Sequence, residues 1–267
     1  MDGPVRRRRP DAPASAGETN MRHAFTLYYW PVPFRAQVLR YMLAHAGAAW
    51  DEAPADRVAA LHAAAVPEQP VPFMGPPVLR DHAAGKWLSQ TPAIALWLAP
   101  RLRLLPEDSW GASMSIKVLC DTIDVLHEMT RNCGMMMWTE EDWARFAETR
   151  LPRWLSIFEE TGRRHGLSRS GGTLLGTPAP GLADLATAAL WATIRDCLPQ
   201  LSGLLSAHAP AVMALSARIA DSPAIAALRA EQAKAWGDAW CGGQIEASLR
   251  HVLDRWAGKG GKTTRES

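Results

Sequence analysis

Two adjacent tyrosines, Tyr28 and Tyr29, close a short aromatic run; Pro31 breaks it and Arg35 follows. A phenol donates one hydrogen bond, and a guanidinium meets a carboxylate with two parallel ones. Side chains alternate along a strand, so the two hydroxyls point to opposite faces and Tyr28 is the alternative if the register slips by one. Gln90 and Thr91 stand just before Pro92, where an apolar helical pattern begins. Free N–H groups and the helix dipole favour an anion at such a point. Trp50 offers an indole N–H. Pro76 and Pro77 stand together in a proline-rich stretch, and Pro76 brings no N–H of its own. The four cysteines, Cys120, Cys133, Cys197 and Cys241, lie far apart with no CxxC. They form neither a disulfide framework nor a zinc pattern, and they fit a reducing compartment. Cys120 and Cys197 fall within helical patterns, as core thiols would.

These residues need elements to hold them. Residues 23–30 read as a strand ending at Pro31. Residues 33–47 carry Phe34, Val38, Leu39, Met42 and Leu43 at helical spacing and stop at Gly47. A second short strand at 49–53 and a loose helix at 56–66 follow. Prolines 67, 70, 72, 76 and 77 then impose an extended segment. Residues 78–80 and 86–88 make a hairpin turning at Gly85. Thr91 as N-cap and Pro92 at the first helical position open the next helix. Strand signals end near Pro106. Residues 110–131, 140–165, 182–197, 210–220, 223–236 and 245–256 all read as helices. Gly181 with Asp184 resembles a capping box with glycine in the Ser/Thr place.

The chain has 267 residues, 48% of them hydrophobic, and a formal net charge of +2. That excludes global disorder and gives no reason for a nucleic-acid partner. No apolar run approaches the roughly 20 residues of a membrane span. Residues 1–22, with arginine at positions 6–9, read as a disordered tail, and so do residues 258–267.

The order βαβαββα followed by five or more helices resembles a cytosolic glutathione transferase over roughly residues 23–235, with domains at 23–105 (thioredoxin-like) and 106–257 (all-helical). The local match is to the tyrosine-type classes, alpha, mu and pi. It rests on Tyr28-Tyr29-Trp30-Pro31-Val32-Pro33-Phe34-Arg35, Trp50, Pro77-Val78-Leu79 and Ser89-Gln90-Thr91. The resemblance implies that the Tyr29 hydroxyl donates to the glutathione sulfur. A thiol with a pKa of roughly 8.5 is mostly protonated at neutral pH, and the thiolate is the nucleophile. It also implies that Arg35 and Trp50 hold the glycine carboxylate, that Gln90 and Thr91 receive the γ-glutamyl carboxylate, and that Pro77 is cis. The residue before that proline normally pairs its N–H and C=O with the cysteinyl part of glutathione; here Pro76 has no N–H. Phe34 is a second departure, since relatives often carry glycine before the arginine.

Further expectations follow from the resemblance. The protein is a cytoplasmic homodimer that joins glutathione, a consumed co-substrate, to an electrophilic, mostly apolar small molecule. No metal or other cofactor, nucleic acid or membrane takes part. Phe73 stands where some classes insert an aromatic into the partner subunit. Met135, Met136, Met137 and Trp138, with Trp236 and Trp240, are candidates for the second-substrate pocket, methionine being an adaptable apolar surface. The alternative is a non-catalytic ligand carrier or interaction module of the same fold, which Pro76 and Phe34 favour.

Overall fold

A computed structural model describes residues 23–263, with side chains through residue 258. The expected tail at 1–22 lies outside the described residues, as does the end of the expected tail at 258–267.

The first layer is a four-stranded sheet in the order β2-β1-β3-β4, built from β1 (Phe25–Tyr28), β2 (Trp50–Glu52), β3 (Val78–Asp81) and β4 (Lys86–Ser89). β1 runs parallel to β2 and antiparallel to β3, and β3 is antiparallel to β4. Three helices complete this unit: α1 (Gln37–His45), α2 (Ala55–Ala63) and α3 (Thr91–Arg101). The βαβαββα order is the expected one. The glycines that end α1 and turn the hairpin, Gly47 and Gly85, both have positive φ, +61° and +62°, which glycine adopts without the Cβ clash.

The helical layer follows as α4 (Ser109–Met129), α5 (Arg131–Gly134), α6 (Glu140–Arg145), α7 (Leu151–Arg164), α8 (Leu182–Cys197), α9 (Ser202–His208), α10 (Pro210–Ala220), α11 (Pro223–Trp236) and α12 (Gly243–Thr263). The single helix expected at 140–165 divides into α6 and α7, joined by a π-helical turn, Phe146–Arg150. α9 lies in a stretch with no sequence signal, and α12 runs past the residue-256 end of the periodic pattern.

α8 is the central helix, buried along nearly its whole length. Its start is held by the expected box: the buried Asp184 carboxylate accepts from the Gly181 N–H at 2.9 Å and reaches back to the Leu174 N–H at 2.7 Å. Burial raises the Asp184 pKa against the lowering effect of those two donors. The two layers share a core that includes Leu39, Met42 and Leu43 of α1 and Leu185, Ala189 and Ile194 of α8. Gln37 of α1 and Gln232 of α11 exchange side-chain hydrogen bonds of 2.7 and 3.1 Å. A paired polar contact of this kind fixes how helices dock in a way that apolar packing alone does not.

Candidate functional site

The ladder registers decide which of the predicted residues meet. Tyr28 pairs with Val78, and Val78 pairs with Ser89. Tyr29 follows Tyr28, Pro77 precedes Val78, and Gln90 follows Ser89, so all three leave the sheet at the same end. Tyr29, Pro76, Pro77, Gln90 and Thr91 therefore collect at one end of the sheet. The Pro76–Pro77 bond is cis.

Tyr29 continues the alternation that buries Phe25 and Leu27, and it is 4% exposed. Its hydroxyl accepts the Arg35 backbone N–H at 3.2 Å, and its own hydrogen is left to donate. Burial holds the phenol well above its ordinary pKa, opposed by the Arg35 N–H and by the nearby Arg40 and Arg35 charges. Tyr28 points to the other face and packs on Trp87, ring centroids 5.2 Å apart.

Thr91 corrects one expectation. The helix begins at Thr91 with Gln90 as N-cap, and no side chain caps it. The Thr91 hydroxyl instead donates to the Arg35 carbonyl at 3.2 Å, tying the N-terminus of α3 to the loop after β1. Gln90 sits at φ +71°, uncommon outside glycine.

Trp50 lies apart from this group. It pairs with Phe25 at the opposite end of β1, four residues before Tyr29, about 13 Å at strand rise. Trp50 lines a separate cavity of about 520 Å3 against α11, with Leu228, Ala235 and Trp236. The parallel register of β2 puts it there, and the structure does not bring it to the Tyr29 end.

The Arg35 guanidinium reaches across to the helical layer, where it donates to Cys133 Sγ at 3.3 Å. Phe34 has φ +30°, the left-handed region where glycine is at ease and a bulky residue is strained. Its ring lies edge-on to Trp240. The segment 237–243 thus passes over the first loop: Trp240 packs on Phe34, and Gly242 lies beside Val32. The segment is held by Glu246, whose Oε2 accepts the N–H groups of Trp240, Cys241 and Gly242 at 3.0, 2.7 and 2.6 Å. Burial opposes the charge on Glu246, and those donors with Arg250 outweigh it, so its pKa is lowered.

Arg40 is the positioning residue that sequence reasoning missed. It is fully buried, and it meets the Glu52 carboxylate with two hydrogen bonds of 2.7 Å. It also donates to the carbonyls of Val32 and Pro33 at 2.7 and 3.0 Å, so it sets the path of the loop between Tyr29 and Arg35. The signal was present: a lone arginine among the apolar residues of α1.

Other candidates fall elsewhere. Phe73 is half-buried against His62 of its own chain, and the neighbouring Met74 is 90% exposed. Met135, Met136 and Met137 are exposed, while Trp138 is buried with Trp143 and Phe146. Trp236 stacks on Arg40. Cys197 is buried as expected, but Cys120 is exposed on α4. Among the described residues no cluster of metal-ligating side chains occurs, and no single helix is long and apolar enough to cross a membrane.

A four-stranded thioredoxin-like unit with a cis-proline beside a strand-end tyrosine, docked on a helical layer around a buried central helix, is the glutathione-transferase fold. Residues 114–252, just over half of the chain, match the family described as glutathione S-transferase, C-terminal domain. The chain belongs to the glutathione S-transferase family. Among solved structures, it is similar to the Pi-class glutathione S-transferase of Onchocerca volvulus (TM-score 0.65, 20% identity, 79% of this chain and 95% of that one). It is also similar to NaGST-2 (TM-score 0.60, 20% identity, 77% and 95%). At that identity the likeness is one of fold. No curated protein sequence matches the chain.

Proposed function

We propose that this protein conjugates the glutathione thiolate to electrophilic, mostly apolar small molecules. The observation that supports this most is the convergence at one end of the sheet of Tyr29, cis-Pro77, Gln90, Thr91 and, through its backbone bond to Tyr29, Arg35. In this reading Tyr29 donates its remaining hydrogen to the glutathione sulfur and raises the thiolate fraction. The Arg35 guanidinium takes a carboxylate of the peptide. The N-terminus of α3 at Gln90 and Thr91 takes the other, and the Pro76 carbonyl accepts the cysteinyl N–H. Trp50 has no part in it. The exposed methionines on the α5–α6 turn, beside the Arg35–Cys133 contact, supply an adaptable apolar surface for the electrophile. The protein works as a cytoplasmic homodimer, for which light scattering should give about twice the 29.2 kDa of one chain; a clean monomer at micromolar concentration removes that part. A steady-state assay with glutathione and a chloronitrobenzene acceptor tests the activity directly, and a rate equal to the uncatalysed one rejects it.

Two observations favour a second reading, a glutathione-binding carrier without turnover. The Tyr29 hydroxyl is buried beneath a loop that Phe34 and Trp240 clamp, and Pro76 withholds a backbone donor. Calorimetric binding of glutathione by a protein with no conjugation would establish it.

A further inference from the structure

Three side chains from three separate elements meet at the rim of the Tyr29 end. Cys133, in the short α5 between α4 and α6, has its Sγ 3.3 Å from Arg35 Nη2 and 3.5 Å from His127 Nδ1 of α4. The thiol is exposed. The contacts put a nucleophilic sulfur, a general base and a cation side by side, the makings of a reactive constellation. The backbone that presents it is unusual. Arg131, Asn132 and Cys133 are successive non-glycine residues at φ +48°, +57° and +57°, a conformation held only because its surroundings over-determine it.

The remaining cysteines differ in kind. Burial raises Cys197 and Cys241 to about 12. Cys120 is exposed like Cys133, but burial of its sulfur and the carboxylates of Asp124 and Asp121 raise it. Cys120 is therefore an internal control, an accessible thiol beside anions instead of cations.

We propose that Cys133 is a thiol–disulfide exchange site for an anionic low-molecular-weight disulfide, glutathione disulfide, recognised through Arg35. The choice of disulfide rests on the reading that Arg35 receives a carboxylate of glutathione. His127 Nδ1 takes the Cys133 proton. The Cys133 sulfur attacks one sulfur of the disulfide, the S–S bond breaks, a protein–glutathione disulfide forms, and the second glutathione leaves as thiolate and recovers the proton from His127. Cys133 is oxidised, one half of the disulfide is reduced, and excess reduced glutathione reverses the step.

The full-length protein is incubated with glutathione disulfide and its peptides are mapped by mass. One glutathionyl group should appear on Cys133 at least tenfold faster than on Cys120, should be absent from Cys133→Ser, and should be removed by reduced glutathione. His127→Ala, with unchanged circular dichroism, should slow it about tenfold. The neutral hydroxyethyl disulfide should react with Cys133 at least tenfold more slowly than glutathione disulfide. Equal labelling of Cys120 and Cys133, no labelling of Cys133, or equal rates with the neutral disulfide overturns the proposal. Titration of the untreated protein with reduced glutathione separates the two readings. Binding there without Cys133 labelling rejects the exchange site and leaves the transferase reading standing. Selective labelling by glutathione disulfide without such binding rejects the transferase and the carrier and leaves the exchange site standing.

Discussion

Trp240 stands edge-on to Phe34, ring centroids 5.4 Å apart and planes at 82°. This contact clamps the segment before α12 onto the loop that carries Arg35, on a residue whose φ of +30° would suit glycine. Two opposing effects therefore meet at one position. Left-handed strain of about 1–3 kcal/mol is set against an aromatic pair worth about 0.5–1.5 kcal/mol beyond its buried area.

Phe34→Gly relieves the strain and releases the clamp. Stability should change by less than about 1.5 kcal/mol, because the two terms offset. Glutathione affinity should rise several-fold as the Tyr29 hydroxyl is uncovered. Denaturant unfolding and calorimetry on the same preparation check both; a loss of more than about 3 kcal/mol, the size of a core truncation, would show that Phe34 is chiefly a packing residue.

Tyr29→Phe removes the sulfur's donor and leaves the Arg35 N–H without its acceptor. Conjugation should fall ten- to a hundredfold, about 1.4–2.7 kcal/mol of transition-state stabilisation, whereas Tyr28→Phe should be nearly silent. The raised phenol pKa adds a pH test. Its stabilising contribution is complete below the unfolded tyrosine value of about 10 and is lost as pH rises beyond it toward the folded value. Wild-type stability should therefore drop above pH 10 by more than that of the Phe variant. Parallel alkaline curves, or a dead Tyr28→Phe enzyme, would contradict the assignment.

Arg40→Met leaves the Val32 and Pro33 carbonyls without their donor and the Glu52 carboxylate without its fork. Breaking a buried pair on one side costs about 3–5 kcal/mol; Glu52 is half-buried, so the lower end is expected. Arg40→Lys should recover little, since an ammonium cannot span both carboxylate oxygens and the two carbonyls. Thermal unfolding of the two variants decides the point, and a fully restored lysine variant would reduce the role to charge alone.

Pro76→Val returns a backbone donor at the residue before the cis bond. Glutathione affinity should rise by up to about tenfold, the upper end of one hydrogen bond's net worth. The gain is reduced to the extent that the Pro76–Pro77 pair stiffens the free loop. Isothermal titration of both proteins measures it; equal or weaker binding means that the missing N–H does not limit the site.

The local parts of this protein are legible in its sequence. Alternation in β1 puts Tyr29 on the buried side and Tyr28 on the other. Gly47 and Gly85 mark a helix end and a hairpin, and Asp184 marks the start of α8. Each of these depends on residues within one strand, one turn or one helix end, where spacing and backbone chemistry act directly. The tertiary structure alone decided the rest. Trp50 has the donor a carboxylate needs, yet the parallel register of β2 carries it to the far end of the sheet. A register is set by which faces become buried across the whole sheet. Thr91 has the chemistry of an N-cap, yet the loop from β1 comes close enough for its hydroxyl to take the Arg35 carbonyl instead. Arg35 and Cys133 are 98 residues apart, and Phe34 and Trp240 are further apart still. Only the docking of the helical layer onto the sheet unit, through packing no local pattern encodes, makes them neighbours.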